Sequence, residues 1–311
     1  MRIWAPDVEM DCAIASRIVS SQFPDFSGET LTFLGRGWDN FCAETLDGTV
    51  FRFPTRRAGA EILRHEIAAL PIIAQVVRSL PVPAFVHLGQ PSADYPYPVV
   101  GYRKLSGQTA DSLDWPAAAR LRAAPVLGQF LSELHSVDAN QPELASLPVD
   151  DAAKGNPKQI LAKLRKRAET VRLAAPELSD LVSHAIQVAE RAAQEPLGAY
   201  PGCLIHGDFY PRHVLARNGS EGLQVTGIID WGDVQIGDPA VDLSIVYTFF
   251  EPEERPVFWR AYGREESEFN APVMTARAAM YGVALSSYGL EESDRASLSM
   301  GCQILRRLRH S

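Results

Sequence analysis

Hydrophobic positions first fall into a clear period over residues 8–22, where Val8, Cys12, Ala15, Ile18 and Val19 recur at helical spacing before Pro24 and Gly28 end the pattern. The character then changes. Leu31 to Leu34, Asn40 to Thr45 and Thr49 to Phe53 read as three strands, joined first by a glycine loop (Gly35-Arg36-Gly37-Trp38-Asp39) and then by an Asp47-Gly48 hairpin turn. A helix is predicted over Gly59 to Ser79 from the recurrence of Ile62, Ile67, Leu70, Ile73 and Val77, with Pro71 expected to kink or divide it. Two more strand patterns follow, Ala84 to Leu88 and Tyr97 to Leu105, separated by a turn from Pro91 to Pro96. A five-stranded sheet with one long helix emerges.

Beyond Ser106-Gly107 the pattern becomes mainly helical, over Asp114 to Val137 (with Pro125 as a possible break), Pro157 to Leu173 and Pro176 to Glu195. Two apolar runs, Cys203 to His206 and Val225 to Ile229, interrupt the helices with a small hairpin around Asn218-Gly219 between them, and from Pro239 the reading is helical again. There is no internal repeat. The expected architecture is α+β and bilobal: a five-stranded antiparallel sheet lobe with a helix over residues 1–102, and a larger, mainly helical lobe over residues 103–311.

Composition adds exclusions. Of the 311 residues, 46% are hydrophobic and 22% charged, ordinary globular values that argue against disorder. The net charge of −8 and the pI near 5.4 make a poor footprint for nucleic acid or an anionic membrane and favour a cationic partner. Residues 1–105 carry a net charge of −1 and the remainder −7, so the acidity belongs to the helical lobe; solvated helix faces and a surface for a charged substrate each account for it. The start, Met1 to Asp7, is too acidic and broken to read as a signal peptide, and no membrane-length apolar run appears, so a cytoplasmic monomer is expected. Cys12, Cys42, Cys203 and Cys302 lie far apart, without zinc-finger spacing, and read as ordinary, mostly buried thiols.

The chemistry concentrates in two segments, Cys203 to Leu215 and Gly227 to Asp233. Each apolar run delivers an acidic residue into the loop at its end, Asp208 and Asp230, so a rigid strand would hold a carboxylate that stays accessible. His206-Gly207-Asp208, with His213 five residues on, resembles the catalytic loop H-R-D-x-x-x-x-N of kinases in outline, and Asp230-Trp231-Gly232 stands where D-F-G would be.

Taken with the glycine loop and with Gly237-Asp238-Pro239-Ala240-Val241-Asp242-Leu243, these motifs resemble the aminoglycoside phosphotransferase superfamily, which also includes macrolide, choline, homoserine and fructosamine kinases. The resemblance implies a protein-kinase-like fold that binds Mg2+ with ATP or GTP between its lobes. It implies that Asp208 is the catalytic base or hydroxyl-orienting carboxylate and that Asp230 ligates magnesium, while His206 braces the loop. His213 stands where most of the superfamily has a metal-binding Asn, as in the aminoglycoside 2''- and macrolide phosphotransferases; an imidazole is a softer donor than an amide oxygen, and a histidine packed under the loop is the alternative.

Arg52 matches the place of the nucleotide-phosphate lysine, with Glu66 as its helix partner; a strand Arg and a solvated Glu are the competing views. Gly35 and Gly37 would lie over the phosphates, and Val100 and Tyr102 in a hinge that meets the purine through backbone groups. Asp238 would cap a helix and Asp242 support the catalytic loop. Asp233, Glu251 and Glu254 are candidates to meet ammonium groups of the acceptor, with Glu253, Glu265, Glu266 and Glu268 nearby in sequence. The implied reaction moves a γ-phosphoryl group to a hydroxyl of a small cationic molecule, an aminoglycoside or macrolide before others. A metabolic kinase for choline-, homoserine- or sugar-like acceptors, or a catalytically idle nucleotide-binding module, remain as alternatives.

Overall fold

The computed structural model describes residues 6–37, 39–149, 154–200, 202–220 and 222–310, so Met1 to Ala5 and Trp38 of the glycine loop lie outside the described residues. The chain divides into two units, one formed by 1–75 and 82–105, the other by 76–81 and 106–311. The expected boundary after residue 102 therefore shifts slightly, and the end of the first unit's long helix and the turn after it belong with the second unit.

In the first unit, helix α1 (Cys12–Gln22) is started by Asp11, whose side chain accepts the Ile14 N–H at 2.7 Å. It lays Ala15, Ile18 and Val19 on a core with Phe41, Phe51, Phe53, Tyr95 and Val99. The sheet is fully antiparallel, with strands β1 (Thr32–Arg36), β2 (Asn40–Glu44), β3 (Thr49–Pro54), β4 (Phe85–Gly89) and β5 (Val99–Arg103) in the order β1-β2-β3-β5-β4. Gly48, at φ +85°, makes the predicted hairpin turn, and Asp47 accepts the Thr49 N–H across it. Helix α2 (Arg57–Val76) runs unbroken through Pro71. The expected division does not occur because the ring faces solvent while Leu63, Leu70 and Ile73 hold one buried axis.

In the second unit, a short strand β6 (Gln108–Thr109), absent from the hydrophobic pattern, pairs with β8 (Val214–Gly219), which forms a hairpin with β9 (Gly222–Ile228). Helix α3 (Ala117–His135) also continues through a proline, Pro125, held by buried Ala123, Ala124 and Leu127. Helices α4 (Pro157–Ala174) and α5 (Ser179–Ala192) follow; Asn156 caps the first and Pro157 occupies its opening position. Strand β7 (Cys203–Ile205) pairs with β10 (Gln235–Gly237), so the two ends of the motif-bearing stretch are tied together. After α6 (Ala240–Leu243), α7 (Ile245–Phe249) and α8 (Arg255–Tyr262), helix α9 (Ala271–Glu291) runs through the interior and packs on α4, α5 and α10 (Arg295–Arg307). No helix among the described residues is long and apolar enough to cross a membrane. All four cysteines are free thiols, but only Cys302 is buried; the other three are half-buried.

Candidate functional site

The loop after β7 is built around Asp242. Its carboxylate is fully buried and accepts the backbone N–H of His206 at 2.7 Å and of Gly207 at 2.9 Å, with the His135 ring 3.3 Å away. Burial pushes this carboxyl up, but His135 and the hydrogen bonds outweigh it and hold the group below its ordinary value. Gly207 sits at φ +82°, and a Cβ there would lie 2.2 Å from the Asp233 carbonyl oxygen, so only glycine fits. The buried His206 donates from Nε2 to the Ile229 carbonyl and accepts the Asp208 N–H on Nδ1, joining the two motif loops. The residue after each aspartate anchors it: Phe209 stacks on Phe130 of α3 at 5.5 Å between centroids, and Trp231 meets the same ring at 6.2 Å.

This scaffold brings Asp208, His213 and Asp230 together. His213 donates from Nδ1 to the Asp208 carbonyl at 2.8 Å, its Nε2 lies 3.3 Å from Asp230 Oδ2, and Nδ1 is 3.7 Å from Asp208 Oδ2. The Asp208 carboxyl is pushed up by burial, but the charges of His213 and Arg277 and a hydrogen bond from Tyr281 keep it lowered and therefore ionised. Asp230 is the reverse case: its side chain is 62% exposed, on a backbone at φ +63° that non-glycine residues seldom adopt.

Among the described residues no group of three or more His, Cys, Asp or Glu forms a cage for a metal ion. A magnesium ion does not need one, since it keeps water and substrate phosphate oxygens around one or two protein ligands. His213 Nε2 and Asp230 Oδ2 fit as such a pair, because neighbouring ligands at about 2.1 Å from one ion lie roughly 3 Å apart.

In the first unit Arg52 and Glu66 form a bidentate pair at 2.8 and 2.7 Å, with Glu66 buried. Burial alone would lower the guanidinium, yet Glu66 raises it. Gly35 and Gly37 have ordinary φ angles, and a Cβ at either would meet nothing within 4 Å, so packing within the chain does not require these glycines. Val100 and Tyr102 correct the expected hinge. Both lie inside β5, which is paired with β3 on one side and β4 on the other, so their backbone groups are spent in the sheet; from there the chain passes into the second unit only after Leu105.

The expected acidic patch is also corrected. Glu254 is buried and held by Arg120 Nε at 2.9 Å, which removes it as an acceptor contact. Glu251 is paired with Arg307 at 2.8 Å and Asp233 with Lys154 at 2.5 Å, although both stay partly exposed. Glu265 and Glu268 form a capping box, and Glu266 accepts from Tyr247. Asp238 caps the turn into α6 through the Ala240 N–H, as expected.

Two residues that pattern reading missed touch Asp208: Arg277 and Tyr281 of α9. One signal was present, since Arg277 is the single charged residue between Ala271 and Leu290.

Comparisons with known proteins bear on the family and the fold. A profile described as "Phosphotransferase enzyme family" matches residues 30–280. The chain belongs to that family. It is 29% identical over 150 residues to the viomycin phosphotransferase of Streptomyces vinaceus, covering 45% of this chain and 51% of that protein. It is 30% identical over 113 residues to the uncharacterized protein YcbJ of Bacillus subtilis (strain 168), covering 34% and 35%. These matches thus span about a third and about half of the relatives' lengths. The phosphotransferase-family likeness extends further in structure: the GDP and kanamycin complex of APH(2")-IIia superposes with a TM-score of 0.66 at 26% identity, over 95% of this chain and 98% of that one.

Proposed function

We propose that this family member transfers the γ-phosphoryl group of a nucleoside triphosphate to a hydroxyl of a small cationic acceptor of the aminoglycoside class. The observation that carries this reading is the His213 ring set between two carboxylates, 3.7 Å from Asp208 and 3.3 Å from Asp230. Asp208, ionised and rigidly mounted, would accept a hydrogen bond from the acceptor hydroxyl and align it on the γ-phosphorus; positioning and charge neutralisation supply most of the catalysis in phosphoryl transfer. Asp230 and the Nε2 of His213 would hold a magnesium ion, which when bound neutralises charge on the nucleotide phosphates. Arg52, oriented by Glu66, would add a second positive group for the phosphates, and the unobstructed Gly35 and Gly37 would let backbone N–H groups approach them.

The acceptor class is supported by what the relatives are named for, a viomycin phosphotransferase and a kinase crystallised with kanamycin, and by the acidity of the second unit. The GDP in the latter complex makes GTP the first nucleotide to try. The test is a turnover screen of the purified protein with ATP or GTP and magnesium against kanamycin, viomycin, a macrolide and choline, with products read by mass spectrometry. A mass gain of one phosphate on kanamycin or viomycin is expected; phosphorylation of choline alone, or none on any acceptor, would contradict the proposal.

A further inference from the structure

Helix α9 carries one guanidinium in an otherwise uncharged run, and that guanidinium is buried: Arg277 is 3% exposed and Tyr281, one turn on, 4%. A buried cation is costly unless it is paired and hydrogen-bonded. Here its partners are all in the catalytic loop or lead to it. Arg277 Nη2 donates to the Gly207 carbonyl at 3.3 Å, reaches Asp208 Oδ1 at 3.5 Å and donates to the Tyr281 hydroxyl oxygen. The Tyr281 hydroxyl is 2.7 Å from the same Asp208 Oδ1.

Donor rules orient the chain of bonds. A guanidinium can only donate, so the Tyr281 oxygen receives the Arg277 proton and its own hydrogen points at Asp208. Oδ1 is thereby engaged from α9. Oδ2 receives no hydrogen bond among the described residues; its neighbour His213 Nδ1, at 3.7 Å, sends its proton to the Asp208 backbone carbonyl. Tyr210 closes the arrangement by stacking on the Tyr281 ring at 4.5 Å between centroids, which fixes the plane of the phenol.

We infer that Arg277 and Tyr281 are positioning residues that lock the Asp208 carboxylate by Oδ1 and present Oδ2 to the acceptor hydroxyl. This inference rests on the reading of Asp208 proposed above. In the transfer, the acceptor O–H bond breaks and its proton passes to Oδ2 while the acceptor oxygen bonds to the γ-phosphorus. The bond from that phosphorus to the β,γ-bridging oxygen breaks, and its electron pair leaves on the nucleoside diphosphate. Only the proton-accepting oxygen has to be free, and the pair on α9 selects which one it is.

The decisive variant is Tyr281→Phe, which keeps the ring and removes the one donor. Its crystal structure should show the Asp208 carboxylate turned from its wild-type orientation, a readout that needs no substrate. With magnesium, GTP and kanamycin, kcat should fall about 10- to 100-fold while KM for GTP changes less than about twofold. Arg277→Lys, which retains a donor, should keep more of kcat than Arg277→Met. Introduced into Asp208→Asn, the Tyr281→Phe change should cost nothing further, because its partner is already altered. An unmoved carboxylate in Tyr281→Phe, a wild-type kcat, a loss of equal size on the Asp208→Asn background, or failure of Tyr281→Phe to fold by circular dichroism would each overturn the inference. An inactive Asp208→Asn beside a fully active Tyr281→Phe would sink the positioning role alone, whereas a fully active Asp208→Asn would sink the reading beneath it as well.

Discussion

Arg52 with Glu66 in the first unit and Asp208 in the second are both charges largely withdrawn from solvent, but they are finished in opposite ways. The Arg52–Glu66 pair is closed: two parallel hydrogen bonds at 2.8 and 2.7 Å satisfy both oxygens of a buried carboxylate. Asp208 is open. One oxygen is held by Tyr281, the backbone beneath is fixed by Asp242, and the other oxygen receives no hydrogen bond among the described residues. A closed pair can orient a cation, yet its carboxylate has nothing left to offer a substrate. An open carboxylate on a rigid mount is what proton acceptance or metal binding requires. Glu254 with Arg120 belongs to the closed kind, which is why an acidic surplus in the second unit does not translate into an equal number of available carboxylates.

The largest effect is expected at the open end. Asp230→Ala removes the exposed carboxylate beside His213, and turnover is expected to drop by about a thousandfold or more together with magnesium-dependent nucleotide binding. Retained magnesium dependence in titration calorimetry would show that the ion is held elsewhere. Next in size is the mount. Asp242→Asn leaves one acceptor oxygen where two backbone N–H groups now bind, and the second unit should lose about 3 kcal/mol in chemical denaturation. A loss under about 1 kcal/mol would mean that the loop does not depend on this carboxylate.

The closed pair gives a smaller effect. Glu66→Gln should raise KM for the nucleotide about tenfold with a lesser change in kcat, since Arg52 stays charged but loses its orientation. An unchanged KM would separate Arg52 from the nucleotide altogether.

The smallest effect is a pH dependence. Asp242 titrates below its ordinary value in the folded chain, so its contribution is complete above the unfolded carboxylate pKa of about 4 and is lost as pH falls through the lower folded value. The stability gap between wild type and Asp242→Asn should therefore narrow as the pH is taken below about 4. A constant gap would show that the carboxylate is not ionised in the folded state.

Much of this arrangement was legible in the chain because it is local. The strand-then-aspartate runs and the Asp47-Gly48 hairpin follow from period and turn chemistry, the Arg52–Glu66 pairing from the family resemblance, and they are where the sequence places them. Long-range packing was not legible. Pro71 and Pro125 carry the rule that proline breaks a helix, and it lost to flanking residues buried on one axis. The Val100–Tyr102 hinge failed because strand pattern alone does not say that β5 has neighbours on both sides. Glu254 dropped out of the acidic patch because Arg120, which pairs with it, is distant in sequence, as is Arg307, the partner of the still partly exposed Glu251. Arg277 and Tyr281 contact a carboxylate some 70 residues away, and only their oddity in an uncharged helix hinted at them.

The most direct test compares wild type with Asp208→Ala in the same preparation, measuring magnesium-nucleotide affinity by calorimetry and phosphate transfer to kanamycin by mass spectrometry. The account predicts nucleotide affinity within about threefold of wild type and transfer reduced by about a thousandfold or more. Transfer that survives in Asp208→Ala at the wild-type rate would contradict it.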